Sequence, residues 1–210
     1  MKKFNVSSQL VVGLGILVVG GALVGGEFLL VKWWPLHKQR VADETLAPVP
    51  YHNDGLGLDM QVASGIYGKV DPFPGGVKIS RSFLFGTNPS LTITAQPNPD
   101  KSFDFPPQTL AVWQTLGVQT GILRYGFEHT HINKRDAALI WQQKKGLMWL
   151  TAHIMSPDRI LQADCTPGGE NEALYLQACE QSLRSIKLAG PEPPEANLPE
   201  GVIELNPLKK

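Results

Sequence analysis

The fold is best predicted from residues 120–165, which read TGILRYGFEHTHINKRDAALIWQQKKGLMWLTAHIMSPDRILQADC. This stretch contains four runs rich in apolar, β-branched and aromatic residues, and short polar or Gly- and Pro-containing turns separate them. We predict strands at residues 120–132, 137–143, 147–155 and 160–165. Because the connections are short, consecutive strands are expected to pair antiparallel.

Further strands and two helices are predicted on either side of this meander. Alternating residues from Val77 to Phe85 and the run at 91–95 indicate two more strands, and Pro107 precedes a short helix at 108–116. A last helix carries one apolar stripe: Leu176, Cys179, Leu183 and Ile186. We therefore predict an α+β domain over residues 56–189, with an antiparallel sheet of about five to seven strands and two helices mostly on one face.

Two local features of the meander carry more specific predictions. The charged turn Asn133-Lys-Arg-Asp136 is expected to be solvated. Trp141 and Trp149 lie on the two strands joined by the Lys144-Lys-Gly connection, where we predict them to be near cross-strand neighbours.

The N-terminal part of the chain resembles a membrane anchor. After Lys2 and Lys3, residues 10–31 form an apolar run with one charge, and at about 1.5 Å per residue a helix of this length crosses a hydrocarbon core. Trp33 and Trp34 follow as interfacial anchors. The alternative is a cleaved signal peptide, since small residues are present near Gly26.

The predicted organisation has five parts. These are a short tail at 1–9, a transmembrane helix at 10–31, an interfacial flank and linker at 32–55, the globular domain at 56–189, and a Pro- and Glu-rich tail at 190–210. The basic residues that flank the helix are nearly balanced, but a short N-terminal tail before a long domain favours export of the domain.

Small residues within the predicted membrane helix form two ridges at a spacing of four: Gly21 with Gly25, and Ala22 with Gly26. Such ridges allow two helices to approach closely. The expected partners are therefore the lipid bilayer and either other membrane-protein subunits or a second copy of this chain. The alternative is that these glycines reflect only the general frequency of glycine in membrane helices.

Composition argues against a nucleic-acid partner. The chain has 19 basic and 19 acidic residues among 210, whereas a nucleic-acid-binding domain normally carries a basic surplus. No nucleotide-binding loop or nucleophile-base motif is recognisable, so no cofactor is expected.

The chain has two cysteines, Cys165 and Cys179. The first ends a predicted strand and the second lies in the following helix, so folding the helix back over the strand can bring them within disulfide distance. In an oxidising compartment a structural bridge is favoured, and the alternative is two small buried thiols.

Three histidines form a candidate metal site. His129 and His131 are two residues apart on one predicted strand, so their side chains share a face, and His153 on a nearby strand could supply a third ligand. Glu128 is expected to point to the opposite face. The alternative is a solvated strand face with ordinary polar contacts.

In element order, residues 90–188 resemble the PsbP/Mog1-type α-β-α sandwich. The strand that ends at Cys165 and the helix through Ser182-Leu-Arg-Ser-Ile186 carry this resemblance. It implies a small accessory or assembly factor rather than an enzyme.

Together these observations predict a non-enzymatic, single-pass membrane protein whose exported domain is an accessory or assembly subunit of a membrane complex. Two alternatives remain open at this point. One is a small metal-dependent enzyme that uses His129, His131 and His153, and the other is a ligand- or lipid-binding sensor.

Overall fold

The computed structural model describes residues 43–81, 88–122, 124–168 and 171–194. These residues form the strands β1 (Pro48–Asn53), β2 (Leu58–Ala63), β3 (Lys69–Phe73), β4 (Gly76–Ser80), β5 (Ser90–Pro97), β6 (Tyr125–Ile132), β7 (Arg135–Lys144), β8 (Leu147–Ser156), β9 (Arg159–Thr166) and β10 (Lys187–Leu188). Two helices pack on the sheets: α1 (Pro107–Gln119) and α2 (Glu172–Arg184).

The predicted antiparallel sheet is confirmed, and it has seven strands. Their order is β3-β4-β5-β9-β8-β7-β6, and every neighbouring pair is antiparallel. The strands from β6 to β9 form the meander expected from residues 120–165. The chain is therefore α+β, with the sheet as its central layer.

Tight turns hold the meander in register. Lys145 and Gly146 have φ of 52° and 82°, and Asn133 and Lys134 have φ of 48° and 70°. Two consecutive positive φ values are typical of the type I′ turn, whose twist matches that of an antiparallel hairpin. Each pair therefore connects its two strands with a two-residue loop.

The short turn at Lys145 changes the expected relation between two tryptophans. Trp141 is paired with Leu150, whereas Trp149 is paired with Gln142. Since a shift of one residue moves a side chain to the other face of a sheet, Trp141 and Trp149 lie on opposite faces. The prediction that they are cross-strand neighbours is wrong.

The two helices also lie on opposite faces of the large sheet, not mostly on one. Ala178 and Leu183 of α2 pack in a core cluster with Leu139 of β7. Trp113 of α1 packs against a second cluster that includes Ala138, the neighbour of Leu139 in β7. Successive side chains of a strand point to opposite faces, so each helix covers its own face.

A second, three-stranded sheet accompanies α2. Its order is β1-β2-β10, and it contributes Leu58, Met60 and Val62 to the larger core cluster. β1 lies within residues 32–55, where we predicted a linker. Its sequence, PVPYHN, contains two prolines, which weaken any strand pattern but are tolerated on a sheet edge.

Several predicted features lie outside the described residues. They are the membrane segment at 10–31, its ridge residues Gly21, Ala22, Gly25 and Gly26, the anchors Trp33 and Trp34, and the tail beyond residue 194. Within the described ranges, no helix combines the length and hydropathy needed to cross a membrane.

Candidate binding groove

A groove of about 350 Å³ lies beside α1 on the face of the large sheet that this helix covers. Its floor is formed by side chains of β5, β8 and β9, and its wall by α1 and the loop that precedes it. The volume is at the lower end of the range of about 300–1,000 Å³ that is usual for ligand pockets.

One wall of the groove is built around Trp113. Its indole stacks on the imidazole of His153, with ring centroids 4.5 Å apart and planes 17° from parallel, and Phe105 meets it edge-on at 5.1 Å. The backbone carbonyl of Trp113 accepts a hydrogen bond from the hydroxyl of Tyr125 in β6. A Cβ on Gly117 would lie 2.5 Å from the Tyr125 ring, so glycine is required for this close approach of α1 to the sheet.

The loop that precedes α1 is held by two buried polar side chains. Asn98 donates hydrogen bonds to the carbonyl oxygens of Ser156, at 2.9 Å, and Ser102, at 2.8 Å. Asp136 accepts one from the backbone N–H of Phe105 at 2.7 Å. The wall of the groove is therefore tied to β7 and to the end of β8.

Asp136 also contacts one of the three histidines proposed as metal ligands. Its second carboxylate oxygen lies 2.5 Å from Nε2 of His129, and its side chain is only 3% exposed. The Asn133–Asp136 segment was predicted to be a solvated turn, but Arg135 and Asp136 are both buried. The buried carboxylate instead connects β6 and β7 to the loop at Phe105.

The structure places His129, His131 and His153 on one face of the sheet but does not bring them together as a ligand set. The rings of His129 and His131 have centroids 6.3 Å apart. His129 and His153 are both paired with Ala138, so one strand separates them by about two interstrand spacings of roughly 4.8 Å each. Among the described residues, no group of three or more His, Cys, Asp or Glu side chains could hold a metal ion.

His153 is the histidine that faces the groove. Burial lowers the pKa of its imidazole, and the nearby charge of Asp164 only partly opposes this effect. Within the described part of the chain the ring makes no hydrogen bond. His153 therefore contributes a neutral imidazole with one donor and one acceptor.

Glu128 points to the opposite face, as expected from its position between Phe127 and His129. Its two carboxylate oxygens lie 3.2 and 2.9 Å from the guanidinium nitrogens of Arg184 at the end of α2. This bidentate pair, with a contribution from Glu180, raises the pKa of Arg184. It joins α2 to β6 on the face away from the groove.

Cys165 and Cys179 are bonded to each other in the structure. Their Cα atoms are 6.1 Å apart, and 14 positions separate them in the sequence. Cys165 lies in β9 and Cys179 in α2, and both are buried. The bond fastens α2 to a central strand of the large sheet.

A second, more open cleft of about 570 Å³ lies at the small sheet. His52 on its rim is placed between two carboxylates: Nδ1 lies 2.6 Å from Asp59, and Nε2 lies 2.8 Å from Asp54. The hydrogen bond with Asp59, followed by that with Asp54, raises the pKa of His52 above its ordinary value of 6.5.

The raised pKa of His52 predicts that the stability of the strand pair β1–β2 depends on pH. The contribution of His52 to stability is fully present below pH 6.5 and is lost as the pH rises through the higher pKa of the folded state. In an NMR titration we expect Asp59→Asn to lower the pKa of His52 more than Asp54→Asn does. A pKa of 6.5 or below in the unmodified protein would contradict this arrangement.

Comparisons with known proteins identify neither a family nor a function. No family model matches the chain, and no curated protein gives a significant match. A crystal structure from Bacteroides thetaiotaomicron VPI-5482 is similar, with a TM-score of 0.41 and 9% sequence identity. The match covers 67% of this chain and 48% of that chain, which is about half of that protein. A protein of unknown function from Pseudomonas aeruginosa has a TM-score of 0.39 and 13% identity over 70% of this chain and 99% of that chain. Structural similarity this low does not indicate a function.

Apart from His153, the residues that line or support the groove were not identified from the sequence. Trp113 and Gln162 occur in a predicted helix and a predicted strand without any motif around them, and Asp136 was assigned to a solvated turn. Their relation depends on how α1 lies on the sheet. Strand alternation placed His129 and His131 on one face in the sequence analysis, and the pairing of His129 and His153 with Ala138 shows that this is the face of the groove.

Proposed function

We propose that the chain is a single-pass membrane protein whose disulfide-bonded domain lies on the exported side and acts as an accessory or assembly subunit of a membrane complex. The observation that carries this proposal is the Cys165–Cys179 bond in a domain that follows the apolar run at residues 10–31. Structural disulfides are typical of exported domains. The resemblance in element order to PsbP/Mog1-type accessory proteins agrees with a role in binding rather than catalysis.

The membrane anchor can be tested with two matched pairs of substitutions in the full-length chain. Val19→Arg with Leu23→Arg places two charges in the apolar run, each at a cost of about 2.5–3.5 kcal/mol at the centre of a membrane helix. We expect this variant to move from the membrane pellet to the soluble fraction after alkaline extraction. The control, Val202→Arg with Leu205→Arg in the C-terminal tail, should stay in the pellet.

The side of the membrane and the role as a subunit need separate measurements. Protease should digest the domain in right-side-out vesicles and leave it intact in inside-out vesicles, and thiol labelling should require prior reduction. After mild detergent extraction, the protein should co-purify with a membrane protein at a fixed ratio. A protected domain in right-side-out vesicles, or a monodisperse monomer without a partner, would overturn the corresponding part of the proposal.

A further inference from the structure

The groove beside α1 presents a row of neutral polar side chains. His153 of β8 is paired with Gln162 of β9, which is paired in turn with Thr94 of β5. Directly opposed residues lie on the same face of a sheet, about 4.8 Å apart from strand to strand. The row therefore runs from the stacked Trp113–His153 pair through Gln162, which also lines the groove, to Thr94 beyond the lining.

Hydrogen bonds within the row leave specific groups free for a ligand. The Nε2 atom of Gln162 donates to one oxygen of Asp164 at 2.7 Å, and the hydroxyl of Thr151 donates to the other at 2.7 Å. Both oxygens of Asp164 thus accept a hydrogen bond from a neighbouring side chain. The amide oxygen of Gln162 takes part in neither of these two bonds. The amide oxygen of Gln162 is an acceptor, and the neutral imidazole of His153 has one donor and one acceptor. Together they can bond to the N–H and C=O of a peptide group.

The charge of the groove selects against anions. The described residues that line it include no Lys or Arg, and among them Asp100 is the only acid. Asp164 lies next to the floor, where its charge reaches His153. An acidic ligand would lose its hydration and face only neutral or negative groups, so the complementary ligand has no acidic group.

The remaining lining is apolar. Phe105 and Trp113 form the wall, and Met155 and Ile160 belong to the floor. A pocket with apolar walls and a few placed polar groups is the usual form of a ligand site. The apolar part accepts one or two aliphatic side chains, and the polar row accepts the main chain that carries them.

We propose that this groove binds an extended peptide segment of a partner protein that has apolar side chains and no acidic ones. The apolar side chains pack against Trp113 and Ile160, and a peptide group hydrogen-bonds with His153 and Gln162. The identity of the occupant as a segment of a partner subunit rests on the proposed function, whereas the selectivity of the groove rests on its own side chains.

The test uses the full-length protein in detergent micelles and two capped tripeptides of the same length. The probes are acetyl-Leu-Ala-Leu-amide and acetyl-Glu-Ala-Glu-amide, and the readout is the NMR signal of the His153 ring among the five histidines. We expect the leucine peptide to shift this signal in a saturable way and the glutamate peptide to bind at least tenfold more weakly. Failure of both peptides to shift it at millimolar concentration, or equal binding of the two, overturns the proposal.

A matched pair of variants separates binding from folding. His153→Phe keeps an aromatic ring against Trp113 but removes both ring nitrogens, and we expect calorimetry to show about tenfold weaker binding of the leucine peptide, since a buried peptide group loses its partner. His131→Phe makes the same change on the same face outside the groove and should leave affinity unchanged. Equal losses in the two variants would overturn the assignment of the site.

The outcome is independent of the test of the membrane anchor. A chain that is released by alkaline extraction but still selects the leucine peptide contradicts the proposed function and supports the groove. A membrane-retained chain that binds neither peptide supports the anchor and overturns the groove.

Discussion

Replacement of Cys165 and Cys179 together by alanine is expected to lower the free energy of unfolding of the domain by at least about 3 kcal/mol, the value for a closed loop of roughly 15 residues. The bonded residues are 14 positions apart, so the loop that they close is of this size. Chemical denaturation of the full-length protein in detergent, followed by near-UV circular dichroism, measures the difference.

Reduction of the unmodified protein provides the control for this prediction. Both cysteine side chains are buried, so the double alanine variant also leaves space in the core. The reduced protein keeps both sulfur atoms and loses only the covalent link between β9 and α2. If reduction leaves the denaturation midpoint unchanged, the bond makes no contribution of its own, and any loss in the variant comes from packing.

Asp136→Ala is expected to cost a similar amount, about 3 kcal/mol, because it removes a charged acceptor and leaves a buried backbone N–H without a partner. The carboxylate holds the N–H of Phe105 at 2.7 Å and lies 2.5 Å from His129. The same substitution should weaken binding of the leucine peptide in the groove, since Phe105 and Trp113 form its wall. Denaturation and calorimetry on the same sample measure the two effects.

Asp136→Asn is the matched control for this second prediction. The asparagine carbonyl can still accept the hydrogen bond from Phe105, so we expect a smaller loss of stability and a groove that keeps its affinity. Equal destabilisation by Ala and Asn would contradict the assignment of this effect to the hydrogen bond with Phe105.

Much of the large sheet could be predicted because its signals are local. The period of two in residues 120–165 and the turns between them give the strands β6 to β9, and a strand followed by a helix brings Cys165 near Cys179. The same period puts His129 and His131 on one face. Each of these inferences depends on residues close together in the chain.

The features that were missed depend on how segments pair and pack on one another. β1 acquires its role only by pairing with β2, and its two prolines hide the strand pattern. The burial of Asp136 depends on a backbone N–H at Phe105, and a backbone group has no sequence signature. The helices were assigned to one face because an apolar stripe shows that a helix packs, but not on which side of the sheet.

The tryptophan pair shows how a small local error propagates. The Lys144-Lys-Gly connection was recognised as a hairpin, but its two-residue turn, with positive φ at Lys145 and Gly146, sets the register. Because side chains alternate, one residue of register decides whether Trp149 faces the core of α2 or the side of α1.

The pairing of β2 with β10 has a consequence for the order in which the chain folds. In the meander, each strand from β6 to β9 pairs with the next one in the sequence. Asp59 of β2, in contrast, pairs with Lys187, close to the end of the described chain. Closure of so long a loop is entropically costly and slow. A chain cut short before Lys187 keeps the segments of the meander but leaves β2, the strand with Leu58 and Met60, paired with β1 alone. The three-stranded sheet can therefore form only after Lys187 and Leu188 have been synthesised, and a chain that ends earlier leaves one edge of β2 unpaired.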